Sequence, residues 1–255
     1  MISGHIKNHP RAVIPYVTAG LPSLDATGEI VAALADAGAA AIEIGIPFSD
    51  PTADGSVLQK ASHMALCAGF RMDRLLGRLP SWSSAVDAPL VVMSYINPLM
   101  RRGLDDTLKA LAGAGARGVI IPDLPRDASA LHQICLGCGL DLVRFVSPAT
   151  GEERVKEVVL RCGGFVYAVS VKGVTGRRSD LPGGLRDQVG LVRRHTDLPV
   201  CVGFGISSAS QVDEVLSYAD GVIVGSHLMD RIMNAADAAG EAYDVLRCLC
   251  GTTAC

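Results

Sequence analysis

The stretch Ala41-Ile-Glu-Ile-Gly-Ile-Pro-Phe-Ser-Asp-Pro-Thr-Ala-Asp-Gly places one carboxylate, Glu43, inside an apolar run. A carboxylate turned into an apolar interior is desolvated, and desolvation raises its pKa toward neutrality. A near-neutral carboxyl both gives and takes a proton, as a general acid/base must. The plainer alternative is a carboxylate paired with Lys or Arg, or one facing a polar gap outside the core. Asp50 and Asp54 follow in a Pro/Gly-bounded loop. Loop aspartates commonly accept nearby backbone N–H groups in turns. One of the two is read as functional, and spacing alone does not decide which.

A second chemistry lies near the end of the chain. Val202-Gly-Phe-Gly-Ile-Ser and Asp220-Gly-Val-Ile-Val-Gly-Ser each close an apolar run with glycine. Glycine lets backbone N–H groups approach an anion, and a following helix N-terminus favours negative charge. Gly205, Gly225 and Ser226 are the expected donors of a phosphate cradle; tight turns that merely close the fold are the alternative. His227 reads as a satisfied helix-end residue. Tyr16 and Tyr95 fall near the ends of apolar runs, where they either wall a pocket or pack in the core.

The segment from Ser170 to Gly184 is polar and Gly-rich, as a mobile lid would be. Lys172 could form a Schiff base there, but beside Gly173 it is expected to be an exposed lysine. Arg177 and Arg178 read as a solvated pair. Cys135 and Cys138 form a CxxC, yet Ala128–Gly139 has a helical pattern and no second CxxC matches it. The eight cysteines are expected to be reduced, with no metal site.

The elements that must position these residues alternate. Eight apolar runs stand out: Ala12–Thr18, Ala41–Ile46, Leu90–Tyr95, Gly118–Pro122, Leu142–Val146, Phe165–Ser170, Val200–Phe204 and Gly221–Gly225. Most are continuously apolar, as strands covered on both faces are. Amphipathic helical patterns fall between them, at Asp25–Ala37, Ser56–Ala68, Leu104–Ala112, Ala128–Cys138, Glu152–Arg161, Leu185–His195 and Ala209–Tyr218, with a last one over Ala235–Cys250. Asp25 and Ser208 suit helix N-caps, and Thr150 precedes another helix start. Eight such units predict an α/β fold, one (β/α)8 TIM barrel spanning residues 1–255, with 1–10 a short flexible segment. An open doubly wound sheet would want a dinucleotide glycine fingerprint after its first strand, and Ala19-Gly-Leu-Pro is not one. Chemistry in a barrel gathers at the C-terminal strand ends, where Glu43, Asp54 and both glycine turns fall.

Composition bounds the partners. The 255 residues are 49% hydrophobic and 19% charged, which excludes disorder. A net charge of −3 without a basic block argues against nucleic acid. Glu43 and Lys172 interrupt the longest apolar candidates, so no membrane span is expected. The start MISGHIKNHPR carries no signal-type apolar stretch, and a cytoplasmic location is expected.

Read together, Ile14-Pro-Tyr-Val-Thr-Ala-Gly, Glu43-Ile-Gly-Ile-Pro-Phe-Ser-Asp-Pro-Thr-Ala-Asp-Gly, Pro122-Asp-Leu-Pro, Gly173-Val-Thr-Gly and the two glycine turns resemble the tryptophan synthase alpha subunit family. The match runs in order from Val13 to Ser226. The resemblance implies a barrel that cleaves indole-3-glycerol phosphate to indole and glyceraldehyde 3-phosphate, with no cofactor or metal. It implies Glu43 and Asp54 as catalytic residues. It places the phosphate at Gly176, Phe204, Gly205, Gly225 and Ser226, and the indole pocket at Tyr16, Tyr95, Tyr167 and Phe204, with Thr175 on the lid. It also implies docking of the second, third and sixth loops on a pyridoxal-phosphate beta subunit, in an alpha2beta2 heterotetramer. A stand-alone indole-releasing lyase and a weak alpha-like activator of a beta subunit are the alternatives. The chain departs from the family pattern at Ser56, Arg126, Val171 and His227 and in the short segment before Arg11; the changes at Ser56, Arg126 and Val171 touch surfaces the family uses for its partner.

Overall fold

The computed structural model describes residues 1–169, 184–203 and 205–252. Eight strands are laid down in chain order: β1 (Val13–Thr18), β2 (Ile42–Gly45), β3 (Leu90–Met93), β4 (Gly118–Ile120), β5 (Asp141–Val146), β6 (Val166–Val169), β7 (Val200–Gly203) and β8 (Gly221–Val224). Each pairs in parallel with its sequence neighbour, and β8 pairs with β1, so the sheet closes into a barrel.

Alternation along the strands sorts side chains into two layers. Val13, Ile42, Ile44, Leu90, Val92 and Leu142 face outward into the larger core cluster, under the helices. Ile14, Val91, Ile120, Val143, Phe165, Cys201 and Ile223 face inward and fill the barrel. Both faces are dry, which is why the runs read as unbroken apolar segments rather than alternating ones.

Helices α1 (Ile2–Asn8), α2 (Leu24–Asp36), α3 (Ser56–Cys67), α4 (Met72–Ala85), α5 (Ile96–Met100), α6 (Leu104–Gly113), α7 (Ser129–Cys138), α8 (Glu152–Val159), α9 (Leu185–Arg193), α10 (Ala209–Leu216), α11 (Ser226–Asn234) and α12 (Ala238–Leu249) connect and surround the strands. Ser208 caps α10 as its type suggests, its Oγ accepting from Gln211 N–H at 3.3 Å. Ser23, rather than Asp25, caps α2; its Oγ accepts from Ala26 N–H at 3.1 Å, and Asp25 sits in the first turn, where a carboxylate favours the helix dipole. Thr150 bonds back to Ser147 N–H at 3.0 Å and leaves the cap of α8 to Gly151.

Residues 1–10, expected to be a flexible segment, instead carry α1. Ile2 and Ile6 are fully buried in the inner cluster and floor the barrel. Asp141, at the start of β5, takes hydrogen bonds from the backbones of Ile2 and Gly164 and so satisfies an otherwise open helix start. The barrel's seam is tied by Arg11. Its Nε donates to Leu249 O at 3.1 Å, its Nη2 donates to Ala209 O at 3.2 Å, and its Nη1 pairs with Asp213. Helix α12 packs on α2 across the same seam.

Trp82 lies in α4 and is buried, with its indole against Gly28 of α2. Pro80 and the serines around it hide this helix in the sequence. Among the described residues six cysteines are free thiols, and Cys248 is disulfide-bonded, which corrects the all-reduced expectation at that position. Among the described residues no cluster of His, Cys, Asp or Glu could hold a metal, and no helix is long and apolar enough to cross a membrane.

Candidate active site

Strand register brings Tyr16 of β1 beside Glu43 of β2, and Glu43 beside Val91 of β3. Glu43 shares the inward face with Val91, so its carboxyl lies inside the barrel. It is 1% exposed, and its Oε1 has no hydrogen-bond partner among the described residues. Among the described residues no cation offsets the burial, which pushes the carboxyl up from 4.5 to about 8. Among the described residues no Lys or Arg pairs with it, unlike the plainer alternative of an ion-paired strand carboxylate. At neutral pH Glu43 is mostly a protonated acid with no internal bond to break before it acts.

The loop after β2 resolves the two aspartates. Asp50 is exposed; the hydroxyl of Ser49 donates to its carboxylate, and its carbonyl accepts from Thr52 N–H at 2.9 Å. It is a turn residue. Asp54 is half-buried, and burial raises its carboxyl to about 6 against an opposing hydrogen bond from the Tyr95 hydroxyl. That hydroxyl also accepts from Ala53 N–H at 2.9 Å. Tyr95 therefore fixes both the backbone and the carboxylate of the loop. Its ring lies 5.3 Å from that of Phe48, centroid to centroid. Ser62 of α3 clamps the loop's other arm, accepting from Phe48 N–H at 2.7 Å and donating to Phe48 O at 2.9 Å. Sequence reasoning passed over Ser62 and Phe48. The available signal was a serine on the buried face of α3, between Ala61 and Ala65.

Two tyrosines wall the same cavity. The hydroxyl of Tyr16 is held up by burial and then by the Asp54 and Glu43 charges, although a hydrogen bond with Thr18 opposes them. Tyr167 is raised by burial and then by Glu43 and Asp54. Both rings therefore lie within reach of both carboxylates. Each ring crosses a neighbouring strand where that strand has glycine. A Cβ built on Gly45 would fall 1.9 Å from the Tyr16 hydroxyl oxygen, and one on Gly203 would fall 2.5 Å from the Tyr167 ring. These two glycines were not singled out from the sequence; only strand register exposes their use. Tyr167 also stacks on Phe145, at 4.7 Å between centroids.

At the ends of β7 and β8 on the same mouth, Gly205 follows β7 with φ +41°, a backbone region that favours glycine. Gly225 is the N-cap of α11, and Ser226 opens that helix. The first N–H groups of an α-helix have no partner within it and point outward at the strand ends. The sequence reading placed no helix at Ser226–Asn234; it began the last one at Ala235, where the structure instead ends α11. Leu228, Met229 and Ile232 bury the inner face of α11, and Thr18 N–H donates to the Met229 sulfur at 3.4 Å. Phe204, Thr175, Gly176, Val171, Lys172, Arg177 and Arg178, and with them the expected lid, lie outside the described residues.

Two carboxyls of unlike pKa at the C-terminal mouth of a (β/α)8 barrel, with a helix N-terminus on the same mouth beside Tyr16, define an acid/base enzyme with an anion-binding rim. Comparison with known proteins narrows the class. A model of the tryptophan synthase alpha chain family matches residues 3–254. The chain is 44% identical over 237 residues to the tryptophan synthase alpha chain of Carboxydothermus hydrogenoformans, covering 92% of this chain and 89% of that one. It is 46% identical over 227 residues to that of Chloroflexus aggregans, covering 88% and 85%. Among solved structures, Mycobacterium tuberculosis tryptophan synthase superposes with TM-score 0.89 at 34% identity, over 98% of this chain and 97% of that chain. The alpha subunit from Pyrococcus furiosus superposes with TM-score 0.87 at 34% identity, over 94% and 98%. The chain belongs to the tryptophan synthase alpha chain family, carbon–carbon lyases of tryptophan biosynthesis that act on indole-3-glycerol phosphate.

Proposed function

We propose that Glu43 and Asp54 carry the retro-aldol cleavage of indole-3-glycerol phosphate in this chain. The observation that carries this reading is the buried, unpartnered and near-neutral carboxyl of Glu43 inside the barrel. The protonated Glu43 gives its proton to indole C3, making that carbon tetrahedral and the ring an indolenine-like cation. The Glu43 carboxylate then takes the proton of the adjacent glycerol hydroxyl. The C–C bond breaks, its electron pair returns to the indole ring, and the hydroxyl carbon becomes the aldehyde of glyceraldehyde 3-phosphate. Glu43 ends as it began, protonated. Asp54 accepts the indole N–H and offsets the positive charge that develops on the ring. Tyr16, Tyr95 and Tyr167 wall the indole. Gly205, Gly225 and Ser226 offer backbone and hydroxyl donors to the phosphate, with Gly176 and Phe204 completing that set and Thr175 on the lid. Phosphate binding far from the reacting bond positions that bond.

In this reading the reaction needs no cofactor or metal of its own. The chain works in the cytoplasm as the alpha subunit of an alpha2beta2 assembly, handing indole to a beta subunit that holds pyridoxal phosphate. The test is indole release from indole-3-glycerol phosphate by the wild type and by Glu43→Gln, each with and without a beta subunit. Slow release that rises strongly with the partner and vanishes in the variant supports the whole reading. Fast release without partner makes the chain a free-standing lyase. Near-normal turnover in the variant removes Glu43 from the chemistry.

A further inference from the structure

Residues 47–54 cross from β2 to α3 without regular structure, and Asp54 ends them, just before the Gly55 that caps α3. Behind them the last ladder bond runs from Ile46 N–H to Met93 O at 2.8 Å. Within them two short turns recur, Thr52 N–H to Asp50 O at 2.9 Å and Asp54 N–H to Pro51 O at 3.1 Å. Such turns shape a loop but do not fix its place on the barrel. Among the described residues, three side chains from elsewhere hydrogen-bond to it: Ser62 and Gln59 of α3, and Tyr95 after β3.

Ser62 is the buried member of the three, and Gln59 is exposed. A serine inside a helix commonly bonds back to a carbonyl of its own preceding turn. Ser62 instead gives both its acceptor and its donor to one loop residue, Phe48, with N–H at 2.7 Å and O at 2.9 Å. Bonds to both polar atoms of Phe48 fix the backbone there, and with it the direction of the ring. That ring lies on Tyr95, tilted by 34° at 5.3 Å between centroids. Tyr95 is buried, and its hydroxyl accepts Ala53 N–H at 2.9 Å and donates to the Asp54 carboxylate. One continuous set of contacts thus runs from the interior of α3 to the carboxylate: Ser62 to Phe48, Phe48 to Tyr95, Tyr95 to Asp54.

We propose that Ser62 is a positioning residue for the lyase reaction, holding the Asp54 carboxylate in place at the barrel mouth through Phe48 and Tyr95. This role rests on the assignment of Asp54 to the indole N–H, and it gives the start of the loop, six residues away, control over that carboxylate. Without the hydroxyl, Phe48 loses both of its anchoring bonds and its ring no longer fixes Tyr95. Asp54 then keeps only part of the hydrogen bond that holds its carboxyl down, and it takes up its proton at a higher pH. Glu43 has no hydrogen bond to any member of this set, so its titration stays where it is.

The test compares wild type, Ser62→Ala, Tyr95→Phe and the double variant by two readouts. The first is the Asp54 carboxyl itself, followed by carbon-13 NMR in aspartate-labelled protein and assigned with Asp54→Asn. The second is kcat/KM for indole-3-glycerol phosphate against pH, whose limbs report the free enzyme's acid and base. In Ser62→Ala the Asp54 midpoint and the acid limb should both rise by about 0.3–0.8 pH unit, a loss of about 2–6-fold in kcat/KM below the midpoint, while the base limb stays. In the double variant the midpoint should match that of Tyr95→Phe alone, because both substitutions cut the same path. A midpoint unmoved by Ser62→Ala, or shifts that simply add in the double variant, overturns the proposal. A midpoint that moves without any change in the rate profile keeps the link from Ser62 to Asp54 and removes Asp54 from the chemistry instead. Should Ser62→Ala fail to fold, Ser62→Cys takes its place, since a thiol fills the site but makes only weak hydrogen bonds.

Discussion

Replacing Glu43 with Gln should trade activity for stability in a way that pH exposes. The carboxyl titrates near 8 when folded and near 4.5 in a solvated chain. Its folded pKa is raised, so the wild type is at its best below 4.5 and loses stability as pH climbs toward 8, because only the unfolded chain then gains by ionising. One proton at 1.36 kcal/mol per pH unit makes this loss about 1 kcal/mol near pH 5 and about 3 kcal/mol near pH 7. Glutamine does not titrate. Any fixed cost of burying its amide is the same at both pH values and cancels from the comparison. The stability difference between Glu43→Gln and wild type should therefore move in favour of the variant by about 2.5 kcal/mol between those conditions, or roughly 5–10 °C in Tm for a chain of this size. The assay is thermal or urea unfolding of both proteins at a series of pH values, alongside indole release, which should fall by about 10²–10⁴-fold in the variant. Unfolding curves whose difference does not change with pH would refute the buried, unpaired state of Glu43 and the acid/base role built on it.

Three further outcomes follow from the same geometry. Tyr95→Phe removes the hydroxyl that lowers the Asp54 pKa and holds Ala53; the acid limb of the kcat/KM profile should move to higher pH, with a loss of about 1–2 kcal/mol in unfolding free energy. A profile superposable on wild type would show that Tyr95 does not govern Asp54. Gly45→Ala forces the Tyr16 ring aside and should raise KM for indole-3-glycerol phosphate while costing about 1–3 kcal/mol of stability, measured by steady-state kinetics and urea unfolding. Ile6→Ala opens the barrel floor and should cost about 2–5 kcal/mol in urea unfolding with indole release per folded molecule unchanged; a loss below 1 kcal/mol would mean α1 is not part of the core.

Periodicity carried the barrel, because strands buried on both faces announce themselves as continuous apolar runs and the helices between them keep one apolar stripe. It failed where local signals conflicted. Helix α4 contains Pro80 and a serine run, α1 is only seven residues long, and α11 starts directly on a glycine turn that reads as a loop. Glu43 was legible because a charge in an apolar strand is an anomaly at the level of single residues. The choice between Asp50 and Asp54 was not, since it depends on Tyr95, which is 41 positions beyond Asp54 and meets it only once β2 and β3 are side by side. Gly45 and Gly203 were illegible for the same reason: their purpose is a ring carried by another strand.

The pairing of β1 with β8 makes the barrel a ring with a clasp, and the clasp is the last part to be synthesised. Val13 meets Val222, and Arg11 meets Leu249 and Asp213, contacts that span almost the whole chain. Until β8 arrives, the nascent sheet carries two bare parallel edges, and such edges invite pairing with other chains. Closing them requires the slowest kind of contact, one between residues far apart in sequence. The Arg11 ties and the α2–α12 packing lie at this join. They hold shut the one place where the ring opens on the ribosome, and a chain stalled short of Gly221 would be exposed to edge-to-edge aggregation before it could ever bind a substrate.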